Sequence, residues 1–263
     1  MRLAGKIAVV VGAGQSPGEG IGNGRATVLR FVQEGAQVLA VDRDLASAEE
    51  TAVLAASGGG ACIPFEADVT REATLAAVMA EAVRRWGRID ILHNNVGVSV
   101  AGGDKPIDEI TEAAFDRVSA INLRGTIMVC KHVLPIMRRQ RGGAIINISS
   151  VAAYENTYPL VAYKVTKAGM IAFTEQLALQ NAPYGIRANC ILPGLMDRRW
   201  RSTRAPAPAT GAVPKSPRNA TPGCRCAARW GPAGMWRMPR SFSPPMKRTS
   251  LLAWPCRWMA VHW

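Results

Sequence analysis

Tyr163 and Lys167 stand four residues apart in a stretch that reads as helix, so they share one face of it. An ammonium beside a phenol favours the tyrosinate and lowers its pKa towards neutrality, which suits Tyr163 to general acid/base work. Ser150 lies thirteen residues upstream, just past a buried strand-like run, where its hydroxyl could orient a carbonyl or alcohol oxygen. A Tyr–Lys pair at this spacing is also ordinary on an exposed helix. What surrounds it decides between the two readings.

A glycine-rich turn runs from Gly12 to Gly24 and includes Gly14, Gly20, Ile21 and Gly22. Glycines between a strand and a helix let the backbone approach a pyrophosphate, which the helix N-terminus then stabilises. The turn is longer than the compact GxGxxG fingerprint. Asp42 closes the next strand, twenty residues after Gly22. A carboxylate there can accept the adenosine ribose hydroxyls and would repel a 2′-phosphate, which favours NAD over NADP. Arg43 beside it pulls the other way.

The elements that must position these residues follow from hydrophobic pattern. Short apolar runs at 7–11 and 144–148 read as buried strands, and 37–41, 61–65, 89–93 and 187–192 read as strands. Helical stretches are expected over 22–33, 45–56, 71–86, 109–122, 123–140 and 158–181. Alternating strands and helices imply an α/β fold, a doubly wound parallel sheet of Rossmann type with helices on both faces.

Together these motifs resemble the short-chain dehydrogenase/reductase family over residues 1–197. The resemblance rests on the Gly12–Gly24 turn, Asp42, Asp68-Val69, Asn94-Asn95-Val96-Gly97, Asn122, Ser150, the Tyr163/Lys167 pair and Pro193-Gly194. It implies hydride transfer between NAD(H) and a secondary alcohol or ketone at a Ser150–Tyr163–Lys167 centre, with Asn122 holding a water that links Lys167 to solvent. It further implies adenine contacts from Asp68 and Val69, a ribose contact from Asn95, and a nicotinamide contact after Pro193-Gly194. A homodimer or homotetramer is the family's assembly. The stretched glycine turn departs from the usual pattern and resembles a variant of it.

Other chemistries are poorly supported. His93, His132 and His262 have no carboxylate or cysteine at ligand spacing, so no metal is expected. Cys62, Cys130 and Cys190 fall in or near apolar stretches and read as core residues. The six cysteines form no spaced framework, and the start lacks the layout of a secretory signal, so a cytoplasmic setting is expected. No apolar run is long enough for a membrane span.

Charge divides the chain in two. Residues 198–263 hold eleven Arg, two Lys and no acid, so the whole net charge of +13 lies there. The same segment takes six of the seven Trp and ten of the seventeen Pro, which forbids a continuous helix. A basic tail bearing Trp could bind nucleic acid through phosphate contacts and stacking. The genetic code favours another origin. Trp258-Met259-Ala260 is TGG-ATG-GCN, and regrouping from each third base gives GAT-GGC, Asp-Gly, with no codon choice. With G/C-rich codons the neighbours extend this to Pro-Val-Asp-Gly-Gly, like the end of the family's last strand. The same frame turns Gly234–Ser243 into Asp-Val-Ala-Asp-Ala-Ala-Val-Phe-Leu, an amphipathic helix. Residues 1–197 are therefore expected to form the dinucleotide-binding and catalytic domain. Residues 198–263 read as a frame-shifted family C-terminus, its strand and helix missing or garbled, and a catalytically inactive product is the alternative expectation.

Overall fold

The computed structural model describes residues 1–16, 20–57, 60–155 and 158–194. The expectations for residues 198–263 lie outside the described residues.

Six parallel strands form one sheet: β1 (Ile7–Val11), β2 (Gln37–Asp42), β3 (Cys62–Glu66), β4 (Ile91–Asn94), β5 (Gly143–Ile148) and β6 (Ile186–Ile191). Their order is β3-β2-β1-β4-β5-β6, with register set by pairs such as Val10↔Ala40, Val10↔His93 and Ile146↔Asn189. The order reverses between β1 and β4, and in such sheets ligands bind at the carboxyl ends of the strands flanking that point.

The helices are α1 (Asn23–Gln33), α2 (Leu45–Ser57), α3 (Glu72–Trp86), α4 (Glu112–Ser119), α5 (Gly125–Gln140) and α6 (Val161–Asn181). Side chains alternate across each strand, so β1 feeds two cores. Val9 and Val11 join Leu39, Leu92 and Ile145 against Leu75, Met79, Val133 and Leu177. Ala8 and Val10 join Val38, Ala40 and Ile91 against Val28 and Val32 of α1.

The expected break between helices near residue 122 is absent. Ser119 (φ −65°, ψ −43°) and Arg124 (φ −58°, ψ −44°) are both helical, and α4 runs into α5 through a π-helical turn, Ala120–Arg124. One extra residue is absorbed by widening the helix instead of breaking it, a feature often found at functional sites. Strand β4 begins two residues later than expected. The Asp90 carboxylate accepts the Ile7 amide at 2.9 Å, while its own amide donates to the Ile7 carbonyl and its carbonyl accepts the Ala144 amide, both at 2.9 Å.

Candidate functional site

The glycine turn follows β1, and Gly12 (φ +82°) occupies the left-handed region. A Cβ on Gly24 would lie 1.8 Å from the Gly12 carbonyl oxygen, so only glycine lets α1 begin against the turn. A Cβ on Gly14 would lie 2.8 Å from Asp42 Oδ2. Here the Gly14 amide donates to that oxygen at 2.8 Å, which draws the turn onto the end of β2. Gly22 precedes α1 with no side-chain cap on the helix, and its amide donates to Gln15 Oε1 at 2.5 Å. Gly20 is also left-handed (φ +98°), and Ile21 beside it is exposed. This is a cradle of close backbone at a helix start, and its residues fit a dinucleotide's pyrophosphate.

At the β2–β3 edge a cleft of about 710 Å³ is lined by Arg43, Asp44, Glu66, Asp68 and Arg71. Asp42 Oδ1 accepts the Asp44 amide at 3.2 Å. Asp68 Oδ1 accepts both the amide and the hydroxyl of Thr70 at 2.8 Å. Val69 is buried against α5, where a Cβ on Gly125 would come within 2.9 Å of it. Asn95 is turned inward: its Nδ2 donates to the Gly12 carbonyl at 3.1 Å and ties the end of β4 to the glycine turn. A second depression, about 640 Å³, lies on the outer face of the α4–α5 helix by Leu123, Ile127 and Met128, away from these residues.

Tyr163 and Lys167 both lie on α6, at the carboxyl edge of the sheet. Lys167 is 2% exposed, and its Nζ donates to the Ile148 carbonyl at 2.7 Å and lies 5.5 Å from the centroid of the Tyr163 ring. Burial holds its pKa down to about 8. Gly97 makes room for it, since a Cβ there would lie 3.0 Å from Nζ. Among the described residues no carboxylate forms an ion pair with this ammonium.

Ser150 follows β5 and caps a 3-10 turn, Val151–Ala153, its Oγ accepting the Ala152 amide at 3.1 Å. Ser149 points the other way and donates to the Lys167 carbonyl at 2.7 Å, fastening α6 to the strand end. The Pro193 carbonyl accepts the Val151 amide at 3.1 Å, which brings Pro193-Gly194 to the same edge.

Asn122 lies in the π turn and is fully buried. Its Oδ1 accepts the Val98 amide at 2.8 Å, and its Nδ2 donates to the Val98 carbonyl at 2.9 Å and to Thr166 Oγ1 at 3.2 Å. The side chain is thus fully used in joining the loop after β4 to α6.

In the segment after β5, Ala152 and Ala153 are buried, whereas Tyr158 packs on the Tyr163 ring with centroids 5.7 Å apart and shares a 3.0 Å hydrogen bond with Ser99. His93 is a buried strand residue, as its apolar neighbours imply. Cys130 is a core thiol, and Cys62 and Cys190 are half-buried. Sequence reasoning missed Asp104, a buried carboxylate in the loop after β4. Its neighbours Gly102 and Gly103 signal a turn, but nothing in the spacing ties it to α6.

A family profile described as short chain dehydrogenase matches residues 6–207. The L-fucose dehydrogenase of Oryctolagus cuniculus is 37% identical over 208 residues, 79% of this chain and 69% of its own. The sorbitol dehydrogenase of Cereibacter sphaeroides is 38% identical over 198 residues, 75% of this chain and 73% of its own. Among solved structures, an NAD+-bound xylitol dehydrogenase superposes with a TM-score of 0.68 at 34% identity, covering 74% of this chain and 72% of its own. The chain belongs to the short-chain dehydrogenase family, a family of NAD(P)-dependent oxidoreductases.

Proposed function

We propose that the protein interconverts a secondary alcohol and a ketone with NAD(H). The nicotinamide, when bound, donates or accepts the hydride. The Tyr163 hydroxyl gives or takes the proton on the substrate oxygen, and the Ser150 hydroxyl orients that oxygen. Lys167 favours the tyrosinate and anchors the ribose, and Asn122 supports the proton path behind it. The carrying observation is the Lys167 ammonium, buried, without a carboxylate partner among the described residues, and 5.5 Å from the centroid of the Tyr163 ring. A stranded charge of this kind serves a neighbour whose own charge develops during reaction.

On this reading the glycines 12, 14, 20 and 22, with Ile21, hold the pyrophosphate, Asp42 the adenosine ribose, and Asp68 and Val69 the adenine end. Asn95 acts by fixing the turn, and Pro193-Gly194 borders the nicotinamide. Relatives named for L-fucose and sorbitol support a small hydroxylated substrate. Reduced Cys62, Cys130 and Cys190 suit a cytoplasmic setting, and no helix among the described residues is long and apolar enough to cross a membrane. Exposed Val165 and Leu179 on α6 support assembly into a dimer or tetramer.

The test is Tyr163→Phe. Turnover should fall by about 10³-fold or more while NADH binding stays within about threefold. Normal turnover in the variant would overturn the assignment.

The proposal extends to the chain's organisation: 1–197 as the catalytic domain and 198–263 as its C-terminus in a shifted frame. The family match, which ends at residue 207, supports this. Resequencing the gene near the Asp197 codon, with activity compared before and after restoring the frame, checks it. An unbroken frame with in-frame homology downstream would refute it.

A further inference from the structure

Helix α6 begins without a cap of its own. Its N-cap position holds Leu160, whose side chain has no oxygen, and the amides of the first turn need acceptors from elsewhere. They find them on a loop far away in sequence. Asp104 Oδ1 accepts the Ala162 amide at 3.0 Å, and Oδ2 accepts the amide of Tyr163 at 2.8 Å. The neighbouring Lys105 carbonyl takes the Val161 amide at 3.3 Å.

Asp104 is only 1% exposed and belongs to no ion pair among the described residues. A buried carboxylate is costly unless its oxygens are bonded. Here the amides of Lys105, Ala162 and Tyr163, together with the positive end of the helix dipole, compensate it. The loop that carries it is itself fixed. A Cβ on Gly102 would strike Val118 at 2.8 Å, Gly103 is left-handed (φ +91°), and Val98 at the loop's start is held through both backbone groups by Asn122. One loop therefore joins Asn122 at its start to Tyr163 near its end.

We propose that Asp104 is a positioning residue for the proton-transfer centre: by bonding the backbone of Tyr163 it fixes where the phenol sits relative to Lys167. This rests on the reading of Tyr163 given above. A cap that only stabilised the helix could be replaced by any local cap. A positioning residue could not, because it also sets the register between α6 and the loop.

The test compares Asp104→Ala, Asp104→Asn and the double variant Asp104→Ala/Leu160→Asp, which returns a carboxylate to the helix's own N-cap position. Each is made in the full chain, with and without Tyr163→Phe, and followed by melting temperature, kcat, KM and the ultraviolet absorbance of tyrosinate against pH. The Tyr163→Phe difference isolates one of the four tyrosines.

Asp104→Ala should lower kcat about 30-fold or more, leave KM within about threefold, and move the Tyr163 absorbance step to higher pH as the phenol leaves the Lys167 ammonium. Asp104→Asn should fall between it and the parent. Leu160→Asp should recover the melting temperature without recovering kcat or the absorbance step.

Recovery of all three by Leu160→Asp would reduce Asp104 to a helix cap and overturn the proposal. A step that stays in place, or moves to lower pH as simple loss of a negative charge would do, overturns it as well. The absorbance reads the position of Tyr163 whether or not that residue carries the proton. Failure of the Asp104 proposal is thereby distinguishable from failure of the Tyr163 assignment, which Tyr163→Phe turnover reports alone.

Discussion

Lys167 Nζ lies 2.7 Å from the Ile148 carbonyl oxygen, and that hydrogen bond joins the middle of α6 to the end of β5. It compensates only part of the cost of burying the ammonium. Burial lowers the lysine pKa from 10.5 to about 8. Between those values the unfolded chain holds a proton that the folded chain does not, so stability rises with pH across that window. Below pH 8 the full cost, about 3 kcal/mol, is present.

Lys167→Met removes this cost and strands the Ile148 carbonyl, which costs about 1–2 kcal/mol. The variant should therefore be more stable than the parent by about 1–2 kcal/mol at pH 7, lose the rise between pH 8 and 10.5, and lose turnover. Urea unfolding at pH 7 and pH 10 reads both effects. A less stable variant at pH 7 would mean the ammonium is compensated after all.

Asn122→Ala should be costly for the opposite reason. It leaves both Val98 backbone groups without their partner and removes a bond to Thr166. A loss of about 2–4 kcal/mol is expected. Asn122→Asp keeps the acceptor for the Val98 amide but sets a carboxylate against the Val98 carbonyl, so it should not rescue stability at pH 7. Thermal melts of the two variants suffice, and a loss under about 1 kcal/mol in the alanine variant would contradict the geometry.

These residues differ in how far sequence could reach them. Strands β1, β2 and β5 were legible to within a residue or so because short, mostly apolar runs bounded by glycine and polar residues have few other readings. The Tyr163/Lys167 pair was legible because helical spacing fixes which residues share a face. Asp104 was not, since its partners lie 58 and 59 residues away and are backbone amides, which carry no sequence signature. The π turn was hidden for a related reason. Ala120–Arg124 has ordinary helical composition, and periodicity registers the phase slip as a break.

His93 offers a test at acid pH. It is buried in β4 with its ring perpendicular to that of Phe31, its Nδ1 has no hydrogen-bond partner among the described residues, and burial lowers its pKa from 6.5 to about 4. As pH falls through that interval the unfolded chain gains a proton the folded chain refuses, and stability falls with it. The loss approaches about 3 kcal/mol by pH 4. His93→Leu should lose less stability than the parent between pH 7 and pH 4.5, as read by urea midpoints. Equal losses in the two proteins would remove His93 as a source of acid sensitivity.

On the proposed reading, Asp42 selects the cofactor. Its Oδ2 is bonded to the Gly14 amide, so the carboxylate is held at the end of β2 and cannot swing away freely when a phosphate approaches. A partly desolvated contact between like charges there costs on the order of 1–3 kcal/mol, about tenfold to a hundredfold in affinity. Arg43 and Arg71 line the adjoining cleft and oppose this, but Asp44, Glu66 and Asp68 line it too. Acids therefore outnumber bases where a 2′-phosphate would lie, and NAD+ should be preferred by at least about tenfold in kcat/KM. Asp42→Ala frees the Gly14 amide and removes the fixed charge. It should weaken NAD+ by losing the ribose acceptor and strengthen NADP+ by exposing the two arginines, narrowing or reversing the ratio. Parallel kcat/KM measurements with both cofactors on parent and variant decide it. Equal use of both by the parent, or no gain for NADP+ in Asp42→Ala, would show that selection lies elsewhere.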